Sequence, residues 1–255
     1  LHDHYPHADK NMIELMVWLH DYGKILDFDN QYETTLKSGL QKLIELGFLC
    51  PIISRDSKFE VGPGVLIPRP ETEHLVEIAL ARIPSRKIRV AELGAGSGAI
   101  GISLLKERPE WEWVAWEKSM DAAVFAERNR AALCPSGSYT LEIGDFFTGL
   151  VTKGPFDWFV SNPPYVRRGE IAHLSKEVRQ EPFLALDGGE SGLECLERLI
   201  RVAADTLLPG GGVILEIGSE QGEAVSGFLR RAGFAECAIE RDLAGLDRVA
   251  YGRKV

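Results

Sequence analysis

The sequence predicts a doubly wound α/β fold, in which helices cover both faces of a mostly parallel sheet. The first observation is a regular alternation of strand-like apolar runs and helix-like stretches from residue 71 onward. The second is a glycine-rich turn, Gly94–Gly98, which joins the first of these strands to a helix. The third is the length of 255 residues, which allows one large domain with a small appendage and needs no disulfides.

Two amphipathic helices are expected at the start of the chain. Their apolar residues recur every three or four positions, and a glycine suited to a helix C-terminus follows each stretch. These residues are Ile13, Met16, Val17 and His20 with Gly23, and Leu36, Leu40, Leu43 and Ile44 with Gly47. The pattern predicts a small helical domain over residues 1–55. Residues 56–70 are rich in Pro and Gly and predict a linker hairpin with strands Lys58–Val61 and Val65–Ile67.

The main domain is expected over residues 71–255. Its apolar runs predict seven strands, at Ile88–Leu93, Trp113–Glu117, Tyr139–Ile143, Phe156–Ser161, Gly212–Ile217, Cys237–Arg241 and Arg248–Gly252. The stretches between them predict helices at Glu71–Arg82, Ala99–Glu107, Asp121–Ala132, Gly192–Leu207 and Glu220–Ala232. Strands and helices in this order indicate a parallel sheet.

Charge and composition argue against several classes of protein. The net charge is −9 and the pI is near 5.3, whereas duplex-DNA-binding proteins normally present a basic face, so nucleic acid is disfavoured as a partner. Because no run of about 18 apolar residues and no apolar leader occur, neither a membrane span nor a signal peptide is expected. The four widely separated cysteines predict reduced thiols in a cytoplasmic protein and no metal site. The start at Leu1 rather than Met indicates a processed chain or a fragment.

The glycine turn reads Glu92-Leu-Gly94-Ala95-Gly96-Ser97-Gly98. Glycines at this position let the backbone approach a ligand closely, beside the free N–H groups of a helix N-terminus. The next strand ends at Glu117, 21 residues after Gly96, where such folds place a carboxylate that binds both ribose hydroxyls of an adenosine. The turn and Glu117 together predict a cofactor that contains adenosine.

Two adenosine cofactors fit this turn. Gly96-x-Gly98-x-x-Gly101 satisfies the dinucleotide pattern, so a nicotinamide dehydrogenase is formally allowed. The spacing of Glu92 and the three glycines also matches the turn of S-adenosylmethionine-dependent methyltransferases. Glu92 suits a ligand that carries an ammonium and a sulfonium, and it would repel a pyrophosphate.

Asp145 and Phe146 follow the third strand and are candidate contacts of the adenine. A carboxylate at this position can accept a hydrogen bond from the adenine amino group, and an aromatic ring can lie against the base. The alternative for Phe146 is packing in the core.

The fourth strand ends in Asn162-Pro163-Pro164-Tyr165, at the sheet edge where ligands bind in such folds. The prolines stiffen the backbone and donate no N–H, so the Asn162 side chain and the loop carbonyls are fixed acceptors. Such acceptors suit a planar NH2 group, on which Tyr165 can stack. By holding both N–H bonds they direct the nitrogen lone pair towards a sulfonium methyl and stabilise the positive charge that develops on nitrogen.

The glycine turn, Glu117 and this tetrapeptide together favour an S-adenosylmethionine-dependent methyltransferase with S-adenosylhomocysteine as product. At these residues the sequence resembles the N5-glutamine methyltransferases that modify peptide-chain release factors (the HemK/PrmC type). The resemblance covers about residues 57–255. Its blocks are Leu66–Glu73, Gly94–Gly98, Ser161–Tyr165, Glu177–Pro182, Ala185–Gly189, Leu215–Gly218, Gln221–Ala224 and Arg241–Arg248.

The resemblance implies a seven-stranded methyltransferase sheet with an antiparallel last strand, preceded by a helical domain. It also implies that Gly94–Gly98 wrap the methionine part of the cofactor, that Glu117 holds the ribose and that Phe146 flanks the adenine. Asn162 would contact cofactor and substrate, and Asn162–Tyr165 would receive the glutamine of a Gly-Gly-Gln loop. Four further residues match family positions near the substrate, where they bind it or form an ion-pair set: Arg69, Glu71, Arg179 and Glu181.

The sequence departs from the family at two places. Glu117 stands where the family usually has Asp, and its longer side chain should still reach two hydroxyls. Residues 50–57 replace the segment Gly-x-Pro-x-x-Tyr-Ile-x-Gly, in a region that helps the family engage the release factor. The resemblance implies a release factor as substrate, and we expect a monomer. A ribosomal-protein glutamine is the runner-up and an adenine of nucleic acid is third, while the intact Asn162–Tyr165 disfavours a binding module without catalysis.

Overall fold

The structure, a computed structural model, describes residues 58–149, 153–176, 178–242 and 244–254. The expected helical domain over residues 1–55 lies outside them. The strands are β1 (Arg89–Leu93), β2 (Glu112–Glu117), β3 (Ser138–Ile143), β4 (Phe156–Ser161), β5 (Leu207–Glu216), β6 (Phe234–Arg241) and β7 (Asp247–Lys254). The helices are α1 (Pro70–Arg82), α2 (Ala99–Glu107), α3 (Met120–Leu133), α4 (Phe146–Gly149), α5 (Phe183–Leu186), α6 (Glu194–Thr206) and α7 (Gly222–Arg231). Two 3-10 turns cover Arg168–His173 and Val178–Gln180.

The strands form one sheet in the order β3-β2-β1-β4-β5-β7-β6. Neighbours from β3 to β5 are parallel, whereas β7 is antiparallel to both β5 and β6. The expected fold class is therefore confirmed, including the reversed last strand. The chain builds outward from β1 to β3 and returns to β4 on the other side of β1. This change of direction opens a crevice at the carboxyl ends of β1 and β4, which is where ligands bind in such sheets.

Helices cover both faces of the sheet because successive strand residues point to opposite sides. On one face Val90 and Trp158 share a buried core with residues of α1 and α2. On the other face Ala91 and Phe159 share a core with residues of α6 and α7. Burial on both faces explains why the strands appear in the sequence as nearly continuous apolar runs.

The predicted element bounds differ most from the structure at β5, which begins at Leu207 rather than Gly212. Leu207 pairs with Phe156, and a register shift then follows before Gly212 pairs with Trp158. Three of the residues between, Leu208, Pro209 and Gly210, are exposed and break the apolar run. The pattern did not predict helices α4 and α5 or the two 3-10 segments, because three to six residues are too few to show a helical period. None of the helices in the described part of the chain has the length and apolarity to cross a bilayer.

The expected hairpin strands within residues 56–70 are not formed in the described part of that segment. Residues 58–69 contain a turn, closed by a backbone hydrogen bond of 3.3 Å from Val65 to Gly62, but no strand pairing. The Asn129 side chain on α3 takes the place of a partner strand. Its Oδ1 accepts from the Glu60 N–H at 2.7 Å, and its Nδ2 donates to the Glu60 carbonyl at 2.9 Å. A side chain thus satisfies the backbone that a hairpin would otherwise have paired.

Candidate active site

The glycine turn follows β1 and forms one wall of a cavity of about 510 Å³. Gly94 and Gly96 line this cavity with φ values of +71° and +56°, and a Cβ at either position would meet no atom within 4 Å. Gly98 serves another purpose, since a Cβ there would lie 2.7 Å from Ile102 Cδ1 of α2. Two of the three glycines therefore leave space for a ligand, and the third allows close packing of the helix.

Ala95 and Ser97 shape the turn through their backbone rather than by facing the cavity. The Gly98 N–H donates to the Ala95 carbonyl at 2.7 Å, and the Ser97 carbonyl accepts from Asn129 Nδ2 at 2.9 Å. Both residues are buried, and neither lines the cavity. Asn129 therefore links the glycine turn to the segment around Glu60.

Glu117 ends β2, lines the cavity and is almost completely buried. Its Oε2 accepts from the Gly96 N–H and its Oε1 from the Ser119 N–H, both at 2.8 Å. Burial raises the pKa of this carboxyl, and the backbone donors oppose the rise. These backbone bonds hold the carboxylate in place at the cavity wall, where it can accept a hydroxyl donor.

Glu92 lies in β1 and does not line the cavity. Its Oε2 accepts from the indole Nε1 of Trp113 at 2.6 Å, while its Oε1 has no hydrogen-bond partner among the described residues. Complete burial raises the pKa of Glu92 well above its usual range. Gly101 contributes to this arrangement because a Cβ on it would clash with the same indole. The last glycine of the dinucleotide pattern thus accommodates a tryptophan.

Asp145 and Phe146 both line the cavity, on the side of β3. Asp145 Oδ1 accepts from the Phe147 N–H at 2.9 Å and so caps the short helix α4. Phe146 is buried, with its ring edge-to-face to Trp116 at 5.1 Å and to Phe159 at 5.9 Å. One residue thus packs in the core and also forms part of the cavity wall.

The Asn-Pro-Pro-Tyr loop meets the glycine turn at the crevice between β1 and β4. Ser161 Oγ donates to the Leu93 carbonyl at 2.7 Å and ties the two strand ends together. Asn162 and Pro164 line the cavity, whereas Pro163 is buried away from it. Tyr165 does not line the cavity either. Its hydroxyl donates to Glu216, and burial, followed by the Glu216 charge, raises its pKa.

Two residues behind the loop were not among the predicted site residues. Asn162 Nδ2 lies 3.3 Å from Thr72 Oγ1, and Thr72 Oγ1 donates to Glu216 Oε2 at 2.8 Å. Thr72 is 3% exposed and Glu216 is 0% exposed. The sequence signal was a single acid, Glu216, within the apolar run of β5, together with the position of both residues in blocks of the family resemblance.

Arg69 and Glu71, the expected substrate contacts, do not line the cavity. Arg69 Nη2 forms an ion pair with Glu181 Oε2 at 2.6 Å. For these two residues, this is the ion pair that was expected as the alternative to substrate binding. Arg179 is exposed on a 3-10 turn. The geometry thus gives Arg69 a partner within the protein and leaves any contact of these residues with a substrate as a prediction.

Comparison with known proteins defines the class. A family model described as "Methyltransferase small domain" matches residues 72–230, which contain the glycine turn, Glu117 and the Asn-Pro-Pro-Tyr loop. With this fold and cavity, the protein is an S-adenosylmethionine-dependent methyltransferase. A "Release factor glutamine methyltransferase" of Neisseria gonorrhoeae is 44% identical over 198 residues, covering 77% of this chain and 71% of the relative. One of Escherichia coli is 40% identical over 193 residues, covering 76% and 69%. The chain belongs to the release factor glutamine methyltransferases.

Solved structures agree with this fold. A methyltransferase from Pyrococcus furiosus superposes with a TM-score of 0.61 at 18% identity, covering 85% of this chain and 98% of that one. A ribosomal protein L11 methylase from Lactobacillus delbrueckii gives a TM-score of 0.56 at 21% identity, covering 80% and 89%. At such low identity these matches support the architecture alone.

Proposed function

We propose that this chain transfers a methyl group from S-adenosylmethionine to the side-chain amide nitrogen of the glutamine in the Gly-Gly-Gln loop of a peptide-chain release factor. The observation that carries the proposal is that Asn162 and Pro164 line the same cavity as Gly94, Gly96 and Glu117. A cradle for the methyl donor and a set of acceptors for an amide thus share one space, as methyl transfer requires. The names of the relatives support a release factor as the substrate.

The residues present fit the cofactor. The open space beside Gly94 and Gly96 suits its methionine part, and the Glu117 carboxylate at the cavity wall suits a ribose hydroxyl. In this proposal Asp145 and Phe146 lie beside the adenine. Bound S-adenosylmethionine supplies an electrophilic methyl group attached to a positively charged sulfur.

The substrate amide needs orientation because its nitrogen lone pair is delocalised into the carbonyl. Asn162 Oδ1 and the loop carbonyls accept its two N–H bonds, and Pro163 and Pro164 contribute no competing N–H donor. Holding both N–H bonds aims the lone pair at the incoming methyl group and stabilises the positive charge that develops on nitrogen. No strong base is required before attack, because the proton leaves afterwards.

The substrate is tested by offering isotopically labelled S-adenosylmethionine separately to a release factor, to ribosomal protein and to DNA. We expect label on the release factor only, and none on a matched release factor whose loop glutamine is replaced by alanine. Label on ribosomal protein alone would assign the runner-up substrate. Label on DNA alone would overturn the proposal.

The role of the loop is tested by Asn162→Ala. We expect this variant to lower kcat by about 10²–10³, comparable to the loss of one fixed polar group that stabilises a transition state. The affinity for S-adenosylhomocysteine, measured by calorimetry, should change much less, because the glycine cradle and Glu117 are intact. Full turnover by the variant would show that Asn162 has no catalytic role.

We also propose a cytoplasmic, monomeric enzyme. The cysteines in the described residues, Cys134, Cys195 and Cys237, carry free thiols, which supports a reducing compartment. The net charge of −9 supports a protein partner rather than nucleic acid. Light scattering of the purified chain measures the oligomeric state, and a stable dimer would contradict this part of the proposal.

A further inference from the structure

A buried carboxylate, Glu216, lies behind the Asn-Pro-Pro-Tyr loop and is linked to both of its ends, directly to Tyr165 and through Thr72 to Asn162. Glu216 Oε2 accepts from Thr72 Oγ1 at 2.8 Å. Thr72 Oγ1 in turn lies 3.3 Å from Nδ2 of Asn162, at the start of the loop. Glu216 Oε1 accepts from the Tyr165 hydroxyl at 3.1 Å, at the end of the loop. The contacts join three separate elements: the first turn of α1, the loop after β4 and the end of β5.

We propose that Thr72 and Glu216 are positioning residues that set which way the Asn162 amide faces and so present its oxygen, rather than its NH2 group, to the substrate. The inference rests on the proposed function, since it explains how the acceptor in that site is fixed. It assigns Tyr165 to anchoring the loop on the same carboxylate.

The direction of the hydrogen bonds follows from what each group can do. An ionised carboxylate can only accept hydrogen bonds, so the Thr72 hydroxyl must donate its hydrogen bond to Glu216. The Thr72 oxygen then has only lone pairs left for Asn162, which therefore turns its NH2 group towards Thr72. A flipped Asn162 would set two lone-pair-bearing oxygens against each other at about the same separation, which is unfavourable.

Burial makes this preference strong. Glu216 and Thr72 are almost completely inaccessible, so water cannot replace a lost hydrogen bond. Burial and the nearby Glu71 charge raise the pKa of Glu216, whereas the two hydroxyl donors and the positive charge of Arg248 oppose the rise. With the NH2 group of Asn162 turned to Thr72, Oδ1 lies on the opposite side of the amide and is the acceptor for the cavity that Asn162 lines.

The test compares three threonine variants. Thr72→Val removes the hydroxyl at nearly constant volume, Thr72→Ser keeps it, and Thr206→Val is the matched control. The Thr206 hydroxyl donates to the Val202 carbonyl of its own helix, and Thr206 directly precedes β5, at the opposite end of that strand from Glu216. We expect Thr72→Val to lower kcat about tenfold or more by misorienting the acceptor, with little change in KM for the release factor or in affinity for S-adenosylhomocysteine. Thr72→Ser should restore most of kcat, and Thr206→Val should retain it.

A double variant separates positioning from general loosening of the fold. If Thr72 acts through Asn162, adding Thr72→Val to Asn162→Ala should reduce kcat no further. The inference would be overturned if Thr72→Val lowered kcat by the same factor in the wild type and in Asn162→Ala. A wild-type kcat in the single variant Thr72→Val would overturn it as well. The unfolding temperature of each variant is measured alongside, and a loss of kcat that Thr72→Ser fails to restore also counts against it. All rates are taken on whichever substrate the wild type methylates, so the absence of release-factor methylation contradicts the proposed function alone.

Discussion

At the scale of single residues, Gly94 and Gly96 share two properties. Both have positive φ, and both face open space inside the cavity. Gly233, after α7, also has positive φ (+87°) and open space, but it does not line the cavity. Backbone strain and blockage of the ligand space can therefore be tested independently.

We expect Gly94→Ala to weaken binding of S-adenosylhomocysteine by about tenfold or more, equivalent to at least about 1.4 kcal/mol, because the new methyl group enters the cradle. Both variants should lose about 1–2 kcal/mol of unfolding free energy, because each places a side chain in the left-handed region, but Gly233→Ala should bind S-adenosylhomocysteine normally. Calorimetry and denaturant unfolding measure the two effects. Equal binding by both variants would mean that the cradle does not contact the cofactor.

At the scale of elements, one ion pair joins two segments that line the cavity. Arg69 precedes α1 and Glu181 lies shortly before α5, while their neighbours Leu66 and Leu184 line the cavity. Glu181 has 6% of its side chain exposed, and burial raises its pKa while Arg69 opposes the rise. Such a pair, once broken, leaves a poorly solvated charge, so each partner depends on the other.

We expect Arg69→Ala and Glu181→Ala to raise the KM for the release factor by similar factors, and the double variant to raise it no further, because each disturbs the same loop contact. Arg130→Ala is the matched control, since Arg130 pairs with the exposed Glu127 on the surface of α3. Steady-state kinetics measure the effect. A further increase in KM when Arg69→Ala is added to Glu181→Ala would instead mean that Arg69 contacts the substrate directly.

At the scale of the whole molecule, carboxyl groups gather at one edge of the sheet. Glu92, Glu117 and Glu216 lie at or near the ends of β1, β2 and β5, which finish at the same edge because these strands are parallel. Burial raises the pKa of each of them. These three are the buried acids of the described residues, and of them Glu117 lines the cavity while Glu216 lies behind the Asn-Pro-Pro-Tyr loop.

Glu73, on α1, makes the pH dependence of stability measurable. Burial, and then repulsion from Glu77, raises its pKa to about 7. Because the folded state holds this proton more tightly than the unfolded state, the stability contribution of Glu73 falls as the pH rises from about 4.5 to 7 and is constant above. Glu73→Gln cannot titrate, so its free energy of unfolding should decrease less between pH 5 and pH 7.5 than that of the wild type.

Denaturant unfolding at the two pH values measures this difference. Glu110→Gln, which alters an exposed carboxyl in a turn, is the control and should retain the wild-type pH dependence. The same change in the free energy of unfolding between the two pH values in the wild type, Glu73→Gln and Glu110→Gln would contradict the raised pKa of Glu73.

Several features were predictable because they depend on neighbours in the chain. Doubly wound alternation, the seven strands and the ends of β1, β2 and β4 follow from local periodicity and from turn residues. The glycine turn and Asn162–Tyr165 were recognisable because glycine and proline restrict the backbone wherever they occur. The hairpin expected within residues 56–70 was wrong for residues 58–69, because Pro and Gly indicate a turn but cannot show that the Asn129 side chain replaces a partner strand.

The amino-acid order thus predicted the fold class, the methyl donor and the Asn-Pro-Pro-Tyr loop as the proposed site for the amide, since strand ends and turns depend on short stretches of chain. Only the folded chain decided that Glu92 faces Trp113 and that Thr72 meets Glu216. The last two residues lie 144 positions apart, and no local pattern records such a pairing. It arises when the end of β5 and the first turn of α1 come together at one edge of the sheet, where burial makes each polar group depend on a partner from another element.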